Sequence, residues 1–130
     1  AAFAAGVERT RKQRRAFARW LPAGIDAWAG ALPLFEALAE DDPTDRLSAW
    51  MRDECASLWA LDGARGDDPE GAAARAREVL ARPDAEARSR ITAAQALADA
   101  GFAAEARAAA RAVLELAPTS VRARRLAQGP

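Results

Sequence analysis

Residues 84–120 constrain the fold of this chain more than any other stretch. A helix-length segment opening near Asp84 breaks at Gly101-Phe102, a second helix-length segment follows, and Leu114-Glu115-Leu116-Ala117-Pro118 closes the unit. The arrangement reads as one helical hairpin. A step of 35 residues carries Pro83-Asp84 onto Pro118-Thr119 and Ile91 onto Leu126. A further echo links Ala73-Ala74-Arg75-Ala76 and Val79-Leu80 with Ala109-Ala110-Arg111-Ala112 and Val113-Leu114. Fixed periods of roughly 20–50 residues mark stacked supersecondary units, each unable to bury its apolar face alone. The pattern predicts an all-α array of hairpins.

Each part of the hairpin has a local cause. Asp84, following Pro83, is placed to cap a helix, because its carboxylate can accept from free backbone N–H groups of the first turn. Ile91, Ala94, Leu97 and Ala98 then recur at the three- and four-residue spacing of one helical face. Gly101 can take the left-handed conformation that ends a helix and reverses the chain. In the second segment Phe102, Ala106, Ala109, Ala110, Val113, Leu114 and Ala117 form the inward stripe, with Glu105, Arg107, Arg111 and Glu115 left to water. Pro118 stops it, lacking an N–H and disfavouring helix at the residue before it.

In these features residues 84–120 resemble a tetratricopeptide repeat, a unit of about 34 residues built from two antiparallel helices. Gly101, Ala106, Leu114-Glu115-Leu116 and Pro118 stand at the family's glycine, small-residue, aliphatic and proline positions. Arg90, Ala93, Ala94 and Leu97 depart from the Trp, Leu, Gly and Tyr favoured in its first helix. The resemblance implies one domain over residues 1–130: a right-handed α-solenoid of about three stacked antiparallel hairpins (1–41, 44–82, 84–117) and a C-terminal capping helix (119–127). It also implies a concave groove lined by the first helix of each hairpin. The family's groove positions fall on Arg88, Gln95 and Asp99, and a shift back by 36 residues adds Arg52 and Trp59. The chain has no Asn, so the paired Lys and Asn with which family members clamp acidic chaperone tails are missing.

Composition agrees with helix. Ala makes up more than a quarter of the chain, 29% is charged and only 6% is aromatic; Ala, Leu, Arg and Glu are the residues with the lowest helical cost. No run alternates with the period of a strand. Lys12 is the one lysine, and arginine over lysine with so much Ala suggests a GC-rich, bacterial coding bias. Charges balance at 19 basic against 19 acidic residues, which gives no bulk signal for nucleic acid. With one cysteine, Cys55, and no histidine, neither an intrachain disulfide nor a metal cluster is expected.

The earlier chain is looser. Residues 1–20 read as a helix with Phe3, Val7, Phe17 and Trp20 inward, and the cluster from Arg9 to Arg19 as its solvated face; Pro22 and Gly24 make a turn. A helix from Ile25 to Glu40 carries Trp28, Leu32, Phe35 and Leu38, with a kink or break expected at Pro33. The apolar region 16–39 is interrupted by charges and prolines, so no membrane span is expected. Asp41-Asp42-Pro43-Thr44-Asp45 has the aspartate spacing of magnesium-holding prenyl-diphosphate enzymes, but without a second motif it reads as a turn in which Thr44 or Asp45 caps the next helix. That helix places Leu47, Trp50, Met51, Leu58 and Leu61 on one stripe. Residues 62–69 then form a long loop that includes Arg65-Gly66-Asp67, with Asp68 as N-cap and Pro69 at the first helical position. At the far end Thr119 caps a short helix with Val121 and Leu126 inward and Arg122, Arg124 and Arg125 outward.

The function expected from this architecture is a non-catalytic protein–protein interaction scaffold. Arg52 and Arg88 flanking Trp59 suit an acidic, partly apolar peptide or partner helix, since guanidinium pairs bidentately with carboxylate and the indole supplies contact area. The alternatives are a structural subunit docking through exposed Trp and apolar faces, and a helical accessory domain of a larger enzyme. Catalysis by the chain itself is disfavoured, with no His, no phosphate-cradling glycine loop and Cys55 on an apolar stripe. No cofactor is implied and nucleic acid is not an expected partner. The lack of an opening Met reads as processing or trimming, and the cytoplasm is favoured over a periplasmic or secreted location.

Overall fold

The computed structural model describes residues 25–129, with side chains from Gly30 onward. The expected helix over 1–20, the turn at Pro22 and Gly24, and the side chain of Trp28 lie outside the described residues. Six helices follow one another: α1 (Ile25–Asp41), α2 (Arg46–Arg65), α3 (Pro69–Ala81), α4 (Ala87–Asp99), α5 (Ala103–Leu116) and α6 (Val121–Gln128). Among the described residues there is no strand, so the all-α class is as the composition predicts.

The helix ends are made by side chains at defined places. Asp45 caps α2, accepting from the Ser48 N–H at 3.1 Å and from the Ser48 hydroxyl at 2.7 Å. Asp42 accepts from both the backbone and the hydroxyl of Thr44. Two of the aspartates in the metal-like spacing are thus engaged in a turn. Asp68 caps α3 with Pro69 at its first position, as expected. Gly101 has φ +97, which only glycine adopts without strain. It closes α4 with two reverse bonds, Gly101 N–H to Ala98 C=O and Phe102 N–H to Leu97 C=O, the Schellman pattern.

Four local expectations are corrected. Asp84 does not cap α4; the N-cap is Glu86, without a side-chain bond, because Asp84 and Ala85 are still in the turn. Ser120 rather than Thr119 caps α6. Of the kink or break expected at Pro33, the break does not occur: Ala31, Leu32, Phe35 and Leu38 around it are all buried, and this anchoring tolerates one missing backbone bond. The loop expected over 62–69 shrinks to three residues, because α2 runs on to Arg65.

Pairs of contacts give the helix directions. Gly63 lies against Ala72, and Asp53 reaches Arg82, so α2 and α3 run antiparallel. Glu54 bonds Ser89 and Arg65 bonds Asp99, so α2 and α4 run parallel. Each helix packs on its sequence neighbour, and α2 also packs broadly on α4, whereas α6 rests chiefly on α5 and touches α4 sparingly. The main core gathers Phe35, Met51, Cys55, Val79 and Leu97 among many buried alanines. A smaller cluster of Ile91, Ala94, Ala110, Val113 and Ala123 joins α4, α5 and α6. Small residues let the backbones approach: a Cβ on Gly63 would stand 3.4 Å from that of Ala72. Leu47 and Val121, expected inward, are instead 49% and 57% exposed, as each sits in the first turn of its helix, beyond the packed stripe.

Corresponding helix ends lie 34 residues apart. This step separates the C-caps Gly66 and Ala100, the N-caps Asp68 and Phe102, and the N-caps Glu86 and Ser120. The same step relates buried Ala72, Ala76 and Val79 of α3 to buried Ala106, Ala110 and Val113 of α5. It does not reach back to the start of α2, which has 20 residues where α4 has 13. The extra turns carry Ser48 and Met51 into the core beneath α1.

Candidate functional site

Parallel helices stacked at a 34-residue step bring equivalent positions side by side, and the α2–α4 seam is where that produces the densest polar chemistry. Asp53 and Glu54 are each only 2% exposed. Glu54 accepts from the Ser89 hydroxyl at 2.7 Å, and its other oxygen stands 3.5 Å from Nε of Arg88. Asp53 turns toward α3, where it accepts from Arg82 and from its neighbour Arg52. Arg90 completes the corner by donating to the carbonyls of Ala85 and Leu80, among them a carbonyl left unpaired near the end of α3. These groups are fully engaged with one another.

Farther along, Arg65 donates to Asp99 at 2.8 Å, and Asp99 also accepts from the Gln95 amide at 2.8 Å. Arg88, Gln95 and Asp99 therefore share one stripe of α4, as the sequence implied. Arg65, read as part of a loop tripeptide, is the residue that joins them from α2.

Arg52 and Trp59 do not join that stripe. Trp59 lies under the guanidinium of Arg75, 3.7 Å from its ring centroid, and so faces α3. The side chain of Arg52 is only 17% exposed and is engaged by Asp53. The physical reason is register. At about 100° per residue, Trp59 sits roughly 140° around the helix from Glu54, whereas Arg65 returns to within about 20°. The expected 36-residue shift overshoots the structural step by two residues, which turns those side chains to the far side. At a step of 34, the partners of Arg88, Gln95 and Asp99 are Glu54, Leu61 and Arg65.

Cys55 is buried, and burial together with the adjacent Glu54 carboxylate pushes its thiol up to about 12; at neutral pH it is an unreactive thiol. Among the described residues no group of His, Cys, Asp and Glu could hold a metal ion. On the outer side Arg77 holds Glu105 through two bonds of 2.7 and 2.9 Å, lowering the carboxyl of Glu105 and raising Arg77.

Two clefts flank the seam. One, of about 480 Å³, lies at the N-terminal ends of α2 and α4, between Trp50, Arg46, Asp84 and Glu86. The other, of about 330 Å³, opens between α4, α5 and α6 and is lined by Gln95, Arg107, Arg122, Arg125 and Leu126 above Ala106. Sequence reasoning left these arginines to water; the signal that could have found them is the uncompensated basic run of Arg122, Arg124 and Arg125 in α6. No helix among the described residues is long and apolar enough to cross a membrane. Compared with protein-family models, curated proteins and solved structures, the chain finds no match.

Proposed function

We propose that the chain is a non-catalytic helical-repeat scaffold, similar in plan to tetratricopeptide arrays, which binds a peptide or partner helix on the face carried by α2, α4 and α6. The observation that carries this reading is the parallel stacking of α2 on α4 at a step of 34 residues, the length of that family's unit. Such stacking makes a continuous surface out of equivalent positions. On it stand Arg65, Gln95 and Asp99 in one bonded row and the 74% exposed side chain of Arg88. The polar groups of this face hold one another rigidly, which limits the ordering cost of binding. The departures of Arg90, Ala93, Ala94 and Leu97 from the family pattern fit a first helix that packs through alanine, since Ala93, Ala94 and Ala96 are wholly buried.

The alternative, a structural subunit docking through apolar surface, draws on Leu116 and Val121, 63% and 57% exposed on either side of the α5–α6 turn. One experiment separates the two. Binders selected from an immobilised peptide library are titrated into the ¹⁵N-labelled chain, and the perturbed amides are mapped. Shifts concentrated at Arg65, Arg88, Gln95 and Asp99 are expected. Shifts centred on Leu116 and Val121 select the docking subunit, and shifts confined to the outer faces of α3 and α5 overturn both.

A further inference from the structure

Repeating units at one step invite a row-by-row comparison of their charges. The row that begins with Glu54 continues through Arg88 to Arg122, each 34 residues on. In the first seam this row places an acid beside a base, and the seam is closed by Glu54, Ser89 and Arg88. In the second the row holds a base at both positions. There α6 leans on α5 and leaves the 330 Å³ cleft against α4.

The lining of that cleft is chemically one-sided. Arg107, Arg122 and Arg125 border it, and no acidic side chain does. Among the described residues, none of the three lies within ion-pair distance of a carboxylate. Arg107 passes close to Gly129, which has φ +75 and on which a Cβ would stand 3.2 Å from the guanidinium. Below the charges, Ala106 and Leu126 offer an apolar floor. Gln95 gives its amide N–H to Asp99, which leaves its carbonyl oxygen free to accept.

We propose that this cleft binds an acidic peptide segment, one carboxylate of which supplies the negative charge that the α4–α6 seam lacks. A carboxylate fits because guanidinium groups take it through paired, charge-assisted hydrogen bonds. A peptide rather than a bare anion fits because the floor is apolar, giving a place for the side chain beside the acid, and because the Gln95 carbonyl can accept a peptide N–H. This proposal rests on the scaffold reading and adds to its face a second place with its own ligand, beside the bonded row at Arg65 and Asp99.

The test uses a fluorescein-labelled acetyl-Glu-Leu-Asp-Leu-Glu-amide pentapeptide, its Gln-Leu-Asn-Leu-Gln counterpart, inorganic phosphate and a twelve-residue oligothymidylate. Anisotropy should report binding of the acidic peptide that falls as salt rises, with the amide counterpart bound at least about tenfold more weakly. Arg122→Ala together with Arg125→Ala should weaken it by about tenfold or more, while Arg46→Ala, at the opposite cleft, leaves it within about twofold. Amide shifts of ¹⁵N-labelled protein at Ala98, Leu126 and Gly129 locate the site, and the unchanged remainder of the spectrum establishes that the variant is folded. The proposal is overturned if the amide counterpart binds equally, if phosphate or oligothymidylate competes as well as the peptide, or if the double variant binds like the parent. Shifts that fall instead on Arg65, Arg88 and Asp99 also overturn it, yet leave the scaffold reading standing.

Discussion

The α2–α4 and α4–α6 seams join parallel helices at the same 34-residue step, yet one is closed by buried charge and the other stands open over arginines. In the first, Glu54 is taken out of water and held by Ser89 and Arg88, with Asp53 held beside it by Arg82 and Arg52. Burying carboxylates carries a desolvation cost that their partners only offset, so such a cluster is weak evidence of added stability. Its effect is to fix register, since a slip of one residue would leave two carboxylates unpaired in the interior. In the second seam nothing comparable is buried: Ala98, Ala106 and Leu126 meet beneath charges that remain in water. The difference teaches that a fixed residue step sets which positions meet, and that charge sign then decides whether a seam closes on itself or stays open.

The strongest way to break this comparison is to remove a partner from the closed seam. Arg82→Ala removes one of the two guanidinium groups that hold buried Asp53; because Arg52 remains, about 3 kcal/mol is expected, the low end of the cost of unpairing a buried charge. Denaturant unfolding monitored by circular dichroism should give that loss; a change under about 1 kcal/mol would mean that the carboxylate reaches water, and that the two seams differ less than described. Ser89→Ala should cost about 1.5–3 kcal/mol, the worth of a hydrogen bond to a charged group. Its loss should appear as faster amide exchange in α2 and α4 and not in α6. As a control outside both seams, Asp68→Ala removes the cap of α3 together with its exposed ion pair to Arg75, and about 1 kcal/mol is expected from its midpoint of unfolding.

Much of this was legible in the sequence, and what was not has a definite physical cause. Gly101, Pro69, Asp68 and Asp45 act through backbone conformation or bonds to residues within a few positions, so local rules placed them, Asp45 as one of two cap candidates. The apolar spacing of Ile91, Ala94 and Leu97 marked the buried face of α4 for the same reason. Register between helices is a different matter. Proline positions gave a step of 35 and the groove analogy 36, because Pro83 and Pro118 lie in turns that absorb a residue; the buried alanines and valines hold the true step of 34. A two-residue error is harmless in a loop but rotates a helical side chain about 200°, which is why Arg88, Gln95 and Asp99 share one stripe of α4 while Arg52 and Trp59 turn away from it. Asp53 and Glu54 were passed over because two adjacent acids in a helix ordinarily face water. Only the arrival of Arg82 and Ser89, 29 and 35 residues later, makes their burial possible.

The smallest expected effect is the sharpest on the comparison, because it converts the open seam toward the closed one. Arg122→Glu restores at the third position of the row the sign that Glu54 has at the first, so that Arg88 stands between two acids. The site is exposed, and an exposed pair is worth about 0.2–1 kcal/mol at most; a gain of a few tenths in unfolding free energy, lost in high salt, is therefore expected. Arg122→Ala in parallel should lie within about 0.5 kcal/mol of the parent, as for other surface changes. The same Arg122→Glu chain should lose the acidic peptide altogether, since it now carries the charge that the ligand would bring. Stability and binding are thus predicted to move in opposite directions with one substitution. If Arg122→Glu destabilises the fold, Arg122 contributes to packing that its exposure does not suggest, and the openness of the second seam has a cause other than charge.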